Sequence, residues 1–105
     1  MTDKELLSLA AKAIGLKITH MPMSELTVIE GKELSTIWNP LSDDGDALRL
    51  AMKLDLTICT HGQGIYVSSV QNMLASAREC NDEDKPALVR RTIVRAAAEI
   101  GKMMK

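Results

Sequence analysis

Three acidic side chains lie close together in the middle of the sequence, where residues 38–54 read WNPLSDDGDALRLAMKL. Clustered carboxylates can bind divalent cations or act as general acids and bases, and the cluster consists of Asp43, Asp44 and Asp46. A calcium loop of the EF-hand type needs glycine at its sixth position and glutamate at its twelfth. Counted from Asn39, those positions hold Asp44 and Leu50. The calcium pattern is therefore not met.

The same segment is also typical of the beginning of a helix. Pro40 favours extended backbone at the residue before it, and Ser42 or Asp43 can accept hydrogen bonds from the N–H groups that a first helical turn leaves unpaired. Further acidic residues in that turn are stabilised by the positive end of the helix dipole, by roughly 0.3–1 kcal/mol each. We therefore predict that the cluster caps a helix, with a metal-assisted enzyme as the weaker alternative.

Cysteine and histidine residues offer a second kind of chemistry, but their spacing suits it poorly. Cys59 and His61 would share one face of a strand, whereas zinc sites usually need close ligand pairs such as C-x₂-C, and Cys80 is distant. The glycines of HGQG, residues 61–64, suit a turn better than a phosphate loop. His20 is isolated, and we expect it at the surface or in a loop. The sequence thus predicts no catalytic residue, no metal and no cofactor.

A basic row near the end of the chain is the candidate binding surface. Residues 85–105 carry six Lys and Arg residues and one Glu, although the whole chain has a formal net charge of −1. Helices that contact phosphate carry such rows, but so do the solvated ends of ordinary helices. The candidate residues for a protein partner or nucleic acid are Arg91, Arg95 and Lys102, with Arg90 and Lys105 nearby.

Composition indicates one globular domain that spans residues 1–105. The chain is 46% hydrophobic and 26% charged, which is ordinary for a soluble protein. Its core must be aliphatic, because the sequence has no Phe and its aromatic residues are Trp38 and Tyr66. Trp38 could be a core plug or an exposed interface anchor, and burial is favoured. The sequence predicts a cytoplasmic protein with reduced thiols, because it has two cysteines, no long apolar run and the charged start MTDKELL.

Hydrophobic periodicity and cap residues predict three helices. The first spans 3–14, where Thr2 and Glu5 form a capping box and Gly15 suits the helix end. The second is rich in apolar residues, and we predict that Leu48, Ala51 and Leu54 bury it, either within one chain or in a homodimer. The third spans 85–102, with Pro86 in its first turn, and carries an apolar stripe made of Val89, Ile93, Ala96, Ala97, Ile100 and Met104.

Alternating and β-branched residues predict a small sheet. Short strands are expected at 26–30 and 34–38 around a turn at Glu30–Lys32, and a hairpin joins two strands on either side of HGQG. Residues 72–80 could be a helix or a third strand of this meander. The predicted fold class is α/β, of the α+β kind: a small, mainly antiparallel sheet of three to four strands with helices on both faces, an α/β/α sandwich.

Three blocks of the sequence together resemble the small phage and prophage proteins with a phage ABA (α/β/α) sandwich domain. They are DKELLSLAAKAIGL, WNPLSDDGDALRLAMKL and VRRTIVRAAAEIGK. The middle block is the most specific, and its motif consists of Trp38, Asn39, Pro40, Asp43, Asp44, Gly45 and Asp46. The resemblance implies an α/β/α sandwich, a phage or prophage origin, the cytoplasm of a bacterial host, and a strand at 73–79. It implies no activity, so no catalytic residue is carried over.

These observations favour a non-enzymatic phage or prophage accessory protein that binds a host or phage protein. The alternative is a small nucleic-acid-associated regulator that uses the basic face of the C-terminal helix, residues 85–102. A metal-assisted enzyme that uses the three aspartates ranks third. No membrane partner is expected, and the apolar second helix leaves a homodimer open.

Overall fold

The computed structural model describes residues 2–20, 27–29, 36–60, 64–69, 76–80 and 85–104, with backbone alone at 28, 36, 64 and 76–80. These ranges contain three helices, namely α1 (Asp3–Ala13), α2 (Asp44–Lys53) and α3 (Lys85–Met103). They also contain the strands β1 (Ile18–His20), β2 (Thr27–Ile29), β3 (Thr36–Ile37), β4 (Leu56–Cys59), β5 (Gly64–Ser69) and β6 (Ser76–Cys80). The protein is therefore a mixed α+β structure with antiparallel sheets.

Both ends of α1 are set by the local signals in the sequence. The Thr2 hydroxyl accepts a hydrogen bond from the Glu5 N–H at 3.1 Å, which satisfies one of the unpaired donors of the first turn. At the other end Gly15 adopts a φ of +69°, a left-handed conformation that costs glycine little. The Leu16 N–H then bonds back to the Ala11 carbonyl at 2.9 Å, as in a Schellman end. The predicted first helix is confirmed.

The strands form two separate three-stranded antiparallel sheets, in the orders β1-β2-β3 and β4-β5-β6. The predicted strands at 26–30 and 34–38 correspond to the shorter β2 and β3, and the turn at Glu30–Lys32 lies outside the described residues. Residues 76–80 are strand β6 and pair with β5 from Ser68↔Ser76 to Gly64↔Cys80. The strand interpretation of 72–80 is thus correct for 76–80, whereas the prediction of one sheet does not match the two that are seen.

One face of the second sheet packs on the helices. Ile65 and Val67 are fully buried, and α3 contacts both β5 and β6. The side chains that alternate with them point the other way: Thr57, Cys59 and Tyr66 are exposed. Within the described residues, helices therefore contact this sheet through one face, and the second helical layer of the predicted sandwich is not seen there.

Helix α3 is the centre of the fold because it contacts α1, α2 and the second sheet. Its buried side chains cover more of its circumference than the predicted stripe: Thr92, Val94 and Ala98 are buried as well as Ile93, Ala96 and Ala97. Met104, which was predicted to end the stripe, is 41% exposed. A helix with neighbours on several sides needs apolar residues on several sides.

Helix α2 buries a narrower face than predicted. Ala47, Leu50 and Ala51 are buried, whereas Leu48 is 55% exposed and Met52 is 68% exposed. The prediction that Leu48 buries this helix is therefore wrong. Trp38, which precedes α2, is 5% exposed and belongs to the core, so it is a core plug.

No helix in the described ranges combines the length and the apolar character that crossing a membrane requires.

Candidate functional site

The aspartate cluster begins helix α2, as the sequence predicts. Asp43 is the N-cap residue, with extended backbone at φ −116° and ψ 119°, and its Oδ2 accepts a hydrogen bond from the Asp46 N–H at 2.8 Å. Asp44 and Asp46 lie in the first turn, where the helix dipole favours negative charge. Helix capping by Asp43 is confirmed.

Asp46 also fastens the segment that leads into the helix. Its Oδ2 accepts a hydrogen bond from the Asn39 N–H at 3.0 Å, and its Oδ1 accepts one from the Arg49 guanidinium at 2.8 Å. The Asn39 side chain in turn accepts a bond from the Leu41 N–H at 3.0 Å, across the buried Pro40. Residues 39–46 are therefore one hydrogen-bonded turn–helix unit.

The remaining aspartate of the cluster forms a contact between α2 and α3. Asp44 pairs with Arg90, whose Nη1 lies 2.5 Å from the carboxylate, and the Arg90 Nε donates to the Leu41 carbonyl at 3.0 Å. The Arg90 side chain is only 18% exposed. The Arg90 guanidinium thus contacts α2 and the segment before it, although its partner Asp44 is 78% exposed, and its predicted place in the basic binding row stays a prediction.

Each of the three carboxylates is paired with a guanidinium group: Arg49 lies 3.9 Å from Asp43 Oδ2 and 2.8 Å from Asp46 Oδ1, whereas Asp44 pairs with Arg90. Among the residues that the structure describes, no group of three or more His, Cys, Asp or Glu side chains is placed to hold a metal ion. The weak zinc pattern is not tested by the structure: Cys59 is exposed and its thiol is free, whereas His61 and the Cys80 side chain lie outside the described part.

Replacing Arg90 with Met is expected to lower the free energy of unfolding by about 2 kcal/mol, because a hydrogen bond from a charged donor contributes roughly 1.5–3 kcal/mol. Methionine keeps most of the aliphatic stem, so the loss reports the guanidinium. The matched control is Arg49→Met, since the Arg49 side chain is 73% exposed and its ion pairs should contribute less than about 1 kcal/mol. Urea unfolding of both variants measures the difference, and equal losses would contradict the internal role of Arg90.

The remaining members of the basic row line a groove between α1 and α3. Its volume is about 310 Å³, and its lining residues are Leu6, Arg91, Arg95, Glu99 and Lys102. Arg91 pairs with Asp3 at 3.3 Å, and Lys102 pairs with Glu99 at 3.3 Å. The structure therefore brings together three of the four predicted basic residues and adds two acidic neighbours to them.

A second group of polar side chains was not predicted from the sequence. His20 lies in β1 and is half-buried, and it bonds to the Ser8 hydroxyl of α1 at 3.0 Å and to the Thr27 hydroxyl of β2 at 2.8 Å. The expectation that His20 is an isolated surface or loop residue is therefore wrong. No local pattern marks this contact, because it depends on how α1 packs on the first sheet.

Comparison of the chain with protein-family models, with curated proteins and with solved structures finds no match. The resemblance to phage ABA sandwich proteins therefore stays a prediction, and the function is argued from the geometry above.

Proposed function

We propose that the protein is a phage or prophage accessory protein that acts by binding an acidic segment of a host or phage protein in the groove between α1 and α3. The observation that carries this proposal is the alignment of Arg91, Arg95 and Lys102 along one groove. The origin and the location in the bacterial cytoplasm are supported by the sequence resemblance alone.

Helix geometry explains why these three side chains form one row. Arg95 lies four residues after Arg91, and Lys102 lies eleven residues after Arg91. On a helix with 3.6 residues per turn, all three therefore fall on one side. At a rise of 1.5 Å per residue the row is roughly 16 Å long. It can therefore contact several acidic side chains of an extended or helical partner.

The acidic neighbours of the row can be exchanged for those of a partner. The side chains of Asp3 and Glu99 are 63% and 46% exposed, and exposed ion pairs contribute only about 0–1 kcal/mol. Replacing them with partner carboxylates costs little, while arginine gains paired hydrogen bonds from a well-placed carboxylate. Leu6 at the floor of the groove adds an apolar contact.

Nucleic acid is the second candidate because phosphates would also contact this row. Two features favour a protein partner. Asp3 and Glu99 would repel a phosphate backbone at both paired positions, and neither Trp38 nor Tyr66, on which a base could stack, is among the described lining residues of the groove. A partner with discrete carboxylates fits a mixed row better than a uniformly charged polymer.

Charge reversal in the groove should abolish partner binding. Arg91→Glu combined with Arg95→Glu is expected to reduce the recovery of a specific partner from a bacterial lysate at least tenfold, because two attractive charge pairs become repulsive. A tenfold loss of affinity corresponds to about 1.4 kcal/mol. Affinity capture followed by a titration with the purified partner measures this loss.

A control variant and two alternative outcomes make that experiment decisive. The variant Arg49→Glu reverses an exposed charge on α2 and should leave binding unchanged. Binding that survives the double reversal would refute the groove as the site. Capture of DNA or RNA with a steep dependence on salt would instead favour the nucleic-acid candidate.

We further propose that the fold is the α/β/α sandwich of the proteins that the sequence resembles, with a second copy of the chain supplying a helical layer on the open face of the second sheet. What supports this is the open face of the second sheet, where Thr57, Cys59 and Tyr66 are exposed. In a Cys80→Ser variant, Cys59 is the remaining thiol. If a second copy covers the open face, Cys59 should react slowly with a thiol reagent, and the reaction should become faster as dilution dissociates the dimer. Rapid reaction at every concentration, with a monomer in sedimentation, would contradict it.

A further inference from the structure

A chain of hydrogen bonds links three side chains from three elements of the fold. Ser8 on α1 bonds to His20 Nε2 at 3.0 Å, and His20 Nδ1 bonds to Thr27 Oγ1 at 2.8 Å. The second bond follows from strand register, because His20 and Thr27 are directly paired across β1 and β2. The serine is exposed, the histidine is half-buried and the threonine is 3% exposed. The chain therefore runs from solvent into the core.

The order of these groups is that of an activated nucleophile. With its proton on Nδ1, the neutral imidazole donates to the Thr27 oxygen and leaves Nε2 to accept the proton of the Ser8 hydroxyl. The buried threonine fixes the ring in this orientation, as the third group of a nucleophile–base pair does. Ser8 thus has a base within hydrogen-bond reach, which is the first requirement for nucleophilic catalysis.

A shallow cleft lies beside the Ser8 hydroxyl. Its volume is about 380 Å³, and it is lined by Lys4, Glu5, Ser8, Leu9 and His20. This volume is at the lower end of the range for small-molecule sites. Lys4 precedes Ser8 by one helical turn and lines the same cleft.

We propose that Ser8 is an acyl acceptor that reacts with esters of small, apolar carboxylic acids. The Ser8 Oγ attacks the carbonyl carbon while His20 Nε2 takes the hydroxyl proton. The tetrahedral intermediate then loses the alcohol as its C–O bond breaks, and His20 returns the proton to the leaving oxygen. The products are an acyl ester on Ser8 and one molecule of alcohol, so no oxidant or reductant is required.

This activity is separable from the groove between α1 and α3, because the cleft and the groove have no lining residue in common among those that the structure describes. Partner binding and acylation can therefore succeed or fail separately. In this reaction Ser8 and His20 are the catalytic residues, and Thr27 is a positioning residue that acts through the imidazole.

Acetylation by p-nitrophenyl acetate tests the proposal on the full chain. We expect one p-nitrophenol to be released for each acetyl group on Ser8, and peptide mass mapping locates that group. The rate should be about 100-fold higher than in His20→Gln, since general base catalysis contributes roughly 10²–10⁴-fold. Ser8→Ala should remove the modified peptide, whereas Ser42→Ala, at an exposed serine on a turn, should leave the rate unchanged. An unmodified Ser8, or an equal rate in folded His20→Gln, would overturn the proposal.

Two further comparisons separate chemistry from folding. If His20→Gln does not fold, wild-type protein in urea serves in its place: loss of Ser8 acetylation on unfolding supports activation, and an unchanged rate refutes it. Thr27→Val should slow acetylation about tenfold, while Thr27→Ser, which keeps the hydroxyl, should retain it. Equal rates in Thr27→Val and wild type would show that Thr27 does not position the base.

Discussion

Replacing Gly101 with Ala is expected to lower the free energy of unfolding by about 3 kcal/mol, at the upper end of the cost of overpacking a core. A Cβ atom at this position would lie 2.0 Å from the carbonyl oxygen of Leu9 and 2.8 Å from its carbonyl carbon. Both atoms belong to the backbone of α1, so no side-chain rotation can relieve the clash. Helices α1 and α3 would have to move apart.

The predicted loss is a net value. Alanine is a better helix former than glycine by about 1 kcal/mol, so the clash must cost more than the measured difference. Separating the helices would also weaken the contacts between α3 and α1, whose Leu7 and Ala10 belong to the hydrophobic core. Urea unfolding at equilibrium measures the effect as a shift in the transition midpoint.

Gly45 provides the matched control, because it is also a helical glycine. A Cβ atom there would lie 3.2 Å from the ends of the Asp43 and Arg49 side chains, which would have to shift by only a few tenths of an ångström. Gly45→Ala should therefore be neutral or stabilise the protein by up to about 1 kcal/mol. Equal unfolding midpoints for the two variants would contradict the close helix crossing at Gly101.

The crossing at Gly101 also bears on both candidate sites. Helix α1 contributes Leu6 to the groove and Ser8 to the cleft, and the small residue at position 101 fixes how near its backbone lies to α3. A Gly101→Ala variant that still folds should therefore alter partner binding through the groove. Acylation of Ser8 should change less, because His20 and Thr27 belong to the first sheet.

Features set by residues close in sequence could be predicted. The caps at Thr2 and Asp43 each join a side chain to an N–H three residues later, and the left-handed end at Gly15 needs one residue type. Hydrophobic periodicity also located all three helices. These signals are complete within one or two helical turns, so no knowledge of the tertiary structure is needed to read them.

Contacts between distant residues could not be predicted in the same way. Arg90 has the same side chain as Arg91, yet one bonds to Asp44 and the other to Asp3. Which of the two arginines contacts α2 depends on how α2 packs against α3, and the residues around them in the sequence do not reveal that packing. The Ser8–His20 contact and the division of the strands into two sheets are further examples, since both depend on the packing of separate elements.

Two leucines of α2, Leu48 and Leu50, differ sharply in their burial. Leu50→Ala is expected to lower the free energy of unfolding by about 3 kcal/mol, because truncating a buried leucine costs roughly 2–5 kcal/mol and Leu50 is 1% exposed. Leu48→Ala should change it by less than about 0.5 kcal/mol, as at other surface positions. Urea unfolding of the two variants gives both values.

Helical spacing explains the contrast. Ala47, Leu50, Ala51 and Leu54 follow the i, i+3, i+4, i+7 pattern of one buried stripe, whereas Leu48 and Met52 lie one position, or about 100°, away from it. The predicted set of Leu48, Ala51 and Leu54 therefore included one residue, Leu48, that lies beside the buried stripe. A loss at Leu48 as large as that at Leu50 would mean that another surface covers this side of the helix. If that surface is a second copy of the chain, the loss should disappear at protein concentrations where the dimer dissociates.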